Sequence, residues 1–154
     1  MTRQSKTIEL HIPNKLGFEK IATSAAATAA KMMEFSPDRI EDLKTAVGEA
    51  CMNAIEHGIR QKRTARILVT MKVGRSKLEI DVQNKGGNFK KDVAKPDIKE
   101  KILGNSPSRG WGMFLIKNLV DKVEFQSTAK KGNITKMVIY IHGTQPKGSL
   151  KPRT

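Results

Sequence analysis

From Ser36 to Gly58 an apolar residue returns every three or four positions, through Ile40, Leu43, Val47, Ala50 or Cys51, and Ala54 or Ile55. That period is the 3.6-residue repeat of an amphipathic helix. Its start is marked as well. Ser36 suits the cap, Pro37 the first helical position, and Asp38 puts negative charge in the first turn. Gly58 offers a stop, so the sequence predicts a helix over about 37–57. Beside the apolar stripe, Glu49, Asn53 and His57 recur at intervals of four and share one face. Two readings of that face stand open. It is the solvated edge of the helix, or it puts a potential general base and a neutral oxygen ligand into one space.

A second segment has the same double character. Arg109 to Asp121 opens with Gly110 and Gly112 around Trp111 and continues as an apolar run through Met113, Phe114, Ile116, Leu119 and Val120. Glycines at a helix start let backbone N–H groups come close to an anion, and the helix dipole favours negative charge there. A plain tight turn into a helix has the same spelling. A third segment lies between the two. Leu78, Ile80 and Val82 alternate with polar residues as a half-buried strand does, and the run breaks at Asn84 before the turn carrying Gly86 and Gly87. A polar side chain at such a strand end can reach a base edge, or can simply mark the exit to a loop.

In this order and with these gaps, the three segments resemble the nucleotide-binding boxes of the GHKL, or Bergerat-fold, ATPases, and within them the anti-sigma-factor serine kinases of the RsbW and SpoIIAB type. The likeness is widest from Ile40 to His57, which looks like the family's N box; Arg109 to Val123 looks like its second glycine box, and the whole covers about residues 6 to 142. It implies a fold and a site. The fold is α+β, a two-layer α/β sandwich with helices on one face of a mixed, mostly antiparallel sheet. Glu49 falls where these kinases hold the carboxylate that activates the attacking hydroxyl, and Asn53 where they hold the magnesium ligand. Gly110 and Gly112 fall on the phosphates, with Ser108, Arg109 and Trp111 beside them, and Asn84 and Gly86 fall at the adenine end. Residues 88–109 correspond to the lid, although their charged, apolar-poor composition also fits plain disorder. ATP and magnesium are the implied cofactors. A sigma factor, a STAS-type anti-anti-sigma protein and a second copy of the chain are the implied partners.

The sequence departs from that pattern in three places. Asn84 stands where the superfamily has an aspartate accepting from the adenine amino group; an amide carbonyl can still accept there. Gly132 to Thr135 is a loose third glycine box, which makes Thr135 the weakest site candidate. Trp111 replaces a smaller aliphatic residue, and its bulk would narrow the phosphate end.

Chain length bounds the rest. The 154 residues suffice for one core, expected over 1–142 with a basic tail over 143–154. Strands are expected near 7–12, 65–73, 77–84, 122–128 and 134–141, and further helices near 16–34 and 111–120. No signal peptide and no membrane span is read, so a cytoplasmic protein is expected. Cys51 is read as a buried structural thiol, and His57, with His11 and His142 far off in sequence, as closing its helix and not as a metal ligand.

Charge is unevenly spread. Residues 1–60 hold 8 basic and 8 acidic side chains, and the remainder 21 against 7. Such a field draws acidic partners and keeps a nucleic-acid-binding module open as a rival function. Against it, Phe18, Phe35, Phe114 and Phe125 all read as core, which leaves no stacking platform for bases. A degenerate binding module of the same fold, sequestering a partner without chemistry, is the other alternative.

Overall fold

The structure is a computed structural model and describes residues 6–60, 66–84, 107–128 and 132–142. Five strands and three helices follow in the order β1 (Lys6–Ile12), α1 (Glu19–Met32), α2 (Pro37–Arg60), β2 (Ile67–Val73), β3 (Lys77–Asn84), α3 (Pro107–Leu119), β4 (Lys122–Thr128) and β5 (Gly132–Tyr140). The strands form one sheet in the order β1-β2-β3-β5-β4. All four pairings are antiparallel, so the described strands contain none of the parallel pairing of a mixed sheet. Ile67, Val69 and Met71 of β2 and Leu78, Ile80 and Val82 of β3 lie buried on one face of the sheet, in a single core with the inner faces of the helices. This is the two-layer sandwich that the helix and strand periods dictate. Among the described residues, no helix is long and apolar enough to cross a membrane.

Local chemistry accounts for the starts of α2 and α1. Ser36 caps α2 as expected: its Oγ accepts the Arg39 backbone N–H at 3.3 Å and its carbonyl accepts that of Ile40 at 3.0 Å. α1 begins later than the apolar pattern suggests, because Gly17 turns the chain at φ +108° and donates its N–H to Glu19 Oε1 at 2.7 Å. Gly58 does not end α2, which continues to Arg60. A Cβ at Gly58 would collide with the Asn14 side chain, so glycine is there for close approach to the β1–α1 connection. His57 accordingly lies inside the helix and does not close it.

α1 packs through its small residues. Ala22, Ala26, Ala29 and Ala30 are buried, and a Cβ on Gly48 of α2 would touch Thr23 Cγ2 at 3.4 Å. Cys51 is fully buried, as the sequence suggests, and burial followed by the nearby Glu19 charge pushes its thiol pKa up to about 12. The helix layer is also tied down at one corner. Arg39, at the start of α2, donates to Asp121 Oδ2 at 2.5 Å and to the Tyr140 carbonyl at 2.6 Å, and the same Asp121 oxygen accepts the Tyr140 N–H at 2.7 Å. The start of α2, the α3–β4 joint and the end of β5 meet there.

Two aromatic assignments need correction. Phe35 is buried and Phe18 packs against the core, but Phe114 on α3 and Phe125 on the edge strand β4 are 54% and 38% exposed. The helix period of α3 points Gly112, Ile116 and Val120 inward and carries Met113 and Phe114 outward. A strand edge leaves Phe125 half covered.

Candidate functional site

α2 lies between α1 and α3 and over β3, so its polar face looks toward α3. Glu49 and Asn53 meet α3 at Gly112. A methyl group built on Gly112 would lie 2.7 Å from Glu49 Oε1 and 3.6 and 3.7 Å from Asn53 Nδ2 and Oδ1. Both side chains therefore rest against bare backbone, in a space that any larger residue at 112 would fill. Glu49 is half-buried. Burial first, and the negative charge of Glu56 two turns further along the same face second, raise its carboxyl above the ordinary glutamate value. Glu56 stands seven residues from Glu49, so the spacing that picked out Asn53 could have found it too.

The floor of this region is the end of β3. Among the described residues, Asn84 is the buried polar side chain, at 4% exposure. Its Nδ2 donates to the Ala54 carbonyl of α2 at 3.2 Å, and its Oδ1 is buried with no hydrogen-bond partner among the described residues. Next to it, Gly132 opens β5 at φ +78°, and its Cα comes so close to the Asn84 carbonyl oxygen that a Cβ would overlap it. Reading Gly132 only as part of a loose box missed this contact, which depends on strand order. Thr135 pairs with Val82 on β3 and Phe125 on β4. Paired residues point to the same side of a sheet, and Val82 is in the core, so Thr135 is on the helix side, diagonal to Asn84.

The glycine segment differs from expectation. α3 begins at Pro107, so 107–109 are helical and Gly110 and Gly112 lie inside the helix and not before it. The first-turn donors left for an anion belong to Ser108 and Arg109, since proline has none. The side chains of Ser108, Arg109 and Trp111 lie outside the described residues, as do Gly86 and the rest of the expected lid and tail.

Two helices and a strand end thus bring together a carboxylate with a raised pKa, an amide, an unsatisfied buried acceptor and a glycine that keeps the space open. This arrangement on this sheet defines a nucleotide-type ATPase fold. The family model of the histidine kinase-like ATPase domain matches residues 15–139, and the chain belongs to that family. An ATPase domain implies ATP binding. Similar proteins include serine-protein kinase RsbW of Bacillus licheniformis, 33% identical over 130 residues that span 82% of this chain and 81% of the relative. The serine-protein kinase RsbW of Bacillus velezensis is 30% identical over 140 residues, 88% and 86% of the two chains. That of Bacillus subtilis strain 168 is 27% identical over 147 residues, 93% and 91%.

Proposed function

We propose that the protein is a cytoplasmic ATP-binding regulator, an anti-sigma factor with magnesium-dependent serine kinase activity toward a small STAS-type anti-anti-sigma partner, acting as a homodimer. The observation that carries this reading is the convergence of Glu49 and Asn53 on Gly112 above Asn84. The relatives, serine-protein kinases, suggest the reaction class.

The residues present fit the implied cofactors. The unsatisfied Asn84 Oδ1 suits the amino group of adenine, and an amide oxygen on Asn53 suits magnesium, a hard cation that keeps several waters. When bound, Mg-ATP supplies the phosphoryl group and screens its charge. The chain supplies placement and a base. Glu49, with its carboxyl raised by burial and by Glu56, is a stronger base than an exposed glutamate, and suits removal of a proton from a partner serine. Gly112 lets that carboxylate stand directly against α3. The first-turn N–H groups of Ser108 and Arg109 turn a positive dipole end toward phosphate.

Titration with Mg-ATP, followed by radiolabel transfer to candidate partner proteins, tests the reading. Glu49→Ala abolishes transfer and spares nucleotide binding; Asn53→Ala loses magnesium-dependent binding as well. Unimpaired transfer by Glu49→Ala would remove the base from the scheme.

A further inference from the structure

The two helices that meet at the site also meet at a far corner. α2 starts there, with Arg39 donating to Asp121 and to the Tyr140 carbonyl, and runs on to Glu49. α3 runs the other way, from Gly112 against Glu49 to the joint that carries Asp121. At about 1.5 Å of rise per residue, Arg39 lies about 15 Å along α2 from Glu49, and the last residue of α3 about 10 Å from Gly112. Between these points the helices share an apolar core, with Ala46, Val47 and Ala50 of α2, Ile116 of α3 and Val120 just beyond it all buried. Apolar packing attracts without fixing direction, and packed helices slide past one another by small shear movements. Gly112 adds no side chain that would hold Glu49 to one place. The corner is different in kind. Its bonds are directional and charge-assisted: 2.5 Å from Arg39 Nη2 to Asp121 Oδ2, 2.6 Å to the Tyr140 carbonyl, and 2.7 Å from the Tyr140 N–H to the same Asp121 oxygen. The Asp121 N–H donates to the Val138 carbonyl at 3.0 Å, which fastens the joint to β5, and Arg39 adds α2 to it.

We propose that Arg39 is a positioning residue for phosphoryl transfer: clamped to Asp121, it sets the register of α2 on α3, and so the distance from Glu49 to a phosphate held at the start of α3. The proposal rests on the kinase reading above and adds a residue outside its site. In that transfer the partner's serine oxygen gains the γ-phosphoryl group of ATP, ADP departs, and the serine proton passes to Glu49. Nucleotide binding tolerates a small slip of α2, because a triphosphate chain bends between its contacts. Transfer does not, because base and phosphate are held by different helices. A misplacement of about 1 Å costs on the order of a hundredfold in rate.

The variant that isolates this link is Arg39→Met combined with Asp121→Asn in the full chain. Methionine keeps much of the apolar stem, and the asparagine carbonyl still accepts the Tyr140 N–H, so the pair is removed without stranding a buried charge. Calorimetric affinity for Mg-ATP stays within about threefold of wild type, while label transfer to a STAS-type partner at saturating Mg-ATP slows by about tenfold. In native-state hydrogen exchange, α3 amides lose protection by about tenfold and those of β1 and β2 keep theirs. Arg39→Gln, neutral and shorter, gives the same split should the double variant fail to fold. A wild-type transfer rate, a loss of affinity as large as the loss of rate, or a fall in protection spread evenly over the fold overturns the proposal. A wild-type chain that transfers no phosphate removes the kinase reading, and the exchange pattern alone then decides whether the corner holds α3 to α2.

Discussion

Replacing Gly112 with alanine separates stability from chemistry. In a helix interior, alanine is better than glycine by about 1 kcal/mol. Here its methyl group would arrive 2.7 Å from Glu49 Oε1. Carbon–oxygen contacts settle at about 3.3 Å or more, so the carboxylate must retreat by roughly 0.6 Å. That retreat is available, because the group is the end of a flexible side chain; pushing it off its rotamer costs about 0.5–1.5 kcal/mol. Gain and cost nearly cancel, and Gly112→Ala is expected to unfold within about 1 kcal/mol of wild type in urea. Phosphoryl transfer has no such compensation. Misplacing a reacting group by about 1 Å costs on the order of a hundredfold, so a shift of about 0.6 Å should slow transfer by about tenfold or more. The assay pairs urea unfolding with the rate of label transfer at saturating Mg-ATP. Full transfer rate with unchanged stability would show that Glu49 does not work where it touches α3. A loss of more than about 3 kcal/mol would show that the contact belongs to a packed core, as large cavity or overpacking effects do.

Further expectations are more local. Because the Glu49 carboxyl is raised in the folded state, its contribution to stability is complete below the ordinary glutamate value of 4.5 and is lost as the pH rises through the raised one. Glu49→Gln should therefore be the more stable protein at neutral pH while losing transfer; a less stable variant there would contradict the assigned burial. Transfer by wild type should fall on acidification with a midpoint above 4.5, and Glu56→Gln should move that midpoint down; a pH–rate profile with a midpoint at or below 4.5 would exclude Glu49 as a desolvated base. Gly132→Ala combines a φ of +78° with overlap onto the Asn84 carbonyl, and should cost about 2 kcal/mol or more in urea unfolding; a neutral result would mean that the strand ends do not approach as described. Cys51, buried and with its pKa pushed up to about 12, should react with a thiol reagent only on unfolding, and rapid native labelling would refute its burial.

What the sequence made legible was local and periodic. The spacing of Glu49 and Asn53, the Ser36 cap and the alternation over Lys77–Asn84 each depend on residues within a few positions of one another, and each has its counterpart in the fold. Longer-range features were not readable in this way. Arg39 and Asp121 lie 82 residues apart and carry no shared pattern. Gly58 has the spelling of a helix stop, yet its lack of a side chain serves Asn14, a contact known only once β1 and α2 are docked. The exposed rings of Phe114 and Phe125 show the same limit, since hydrophobicity says that a residue can be buried and topology decides whether anything covers it. Their exposure withdraws one argument against nucleic-acid binding, and titration with single strands across a range of salt concentrations would now be the direct check.

The corner where Arg39, Asp121 and the Tyr140 backbone meet has a mechanical consequence. It rivets the joint after α3 to both layers of the molecule, while the glycine-bearing end packs against Glu49 and Asn53 of α2. With about 1.5 Å of rise per residue, Gly112 stands roughly 10 Å from the last turn, so a tilt of about ten degrees at the rivet sweeps it through nearly 2 Å. The rivet lies far from Glu49, yet any tilt about it would change the gap beside that carboxylate.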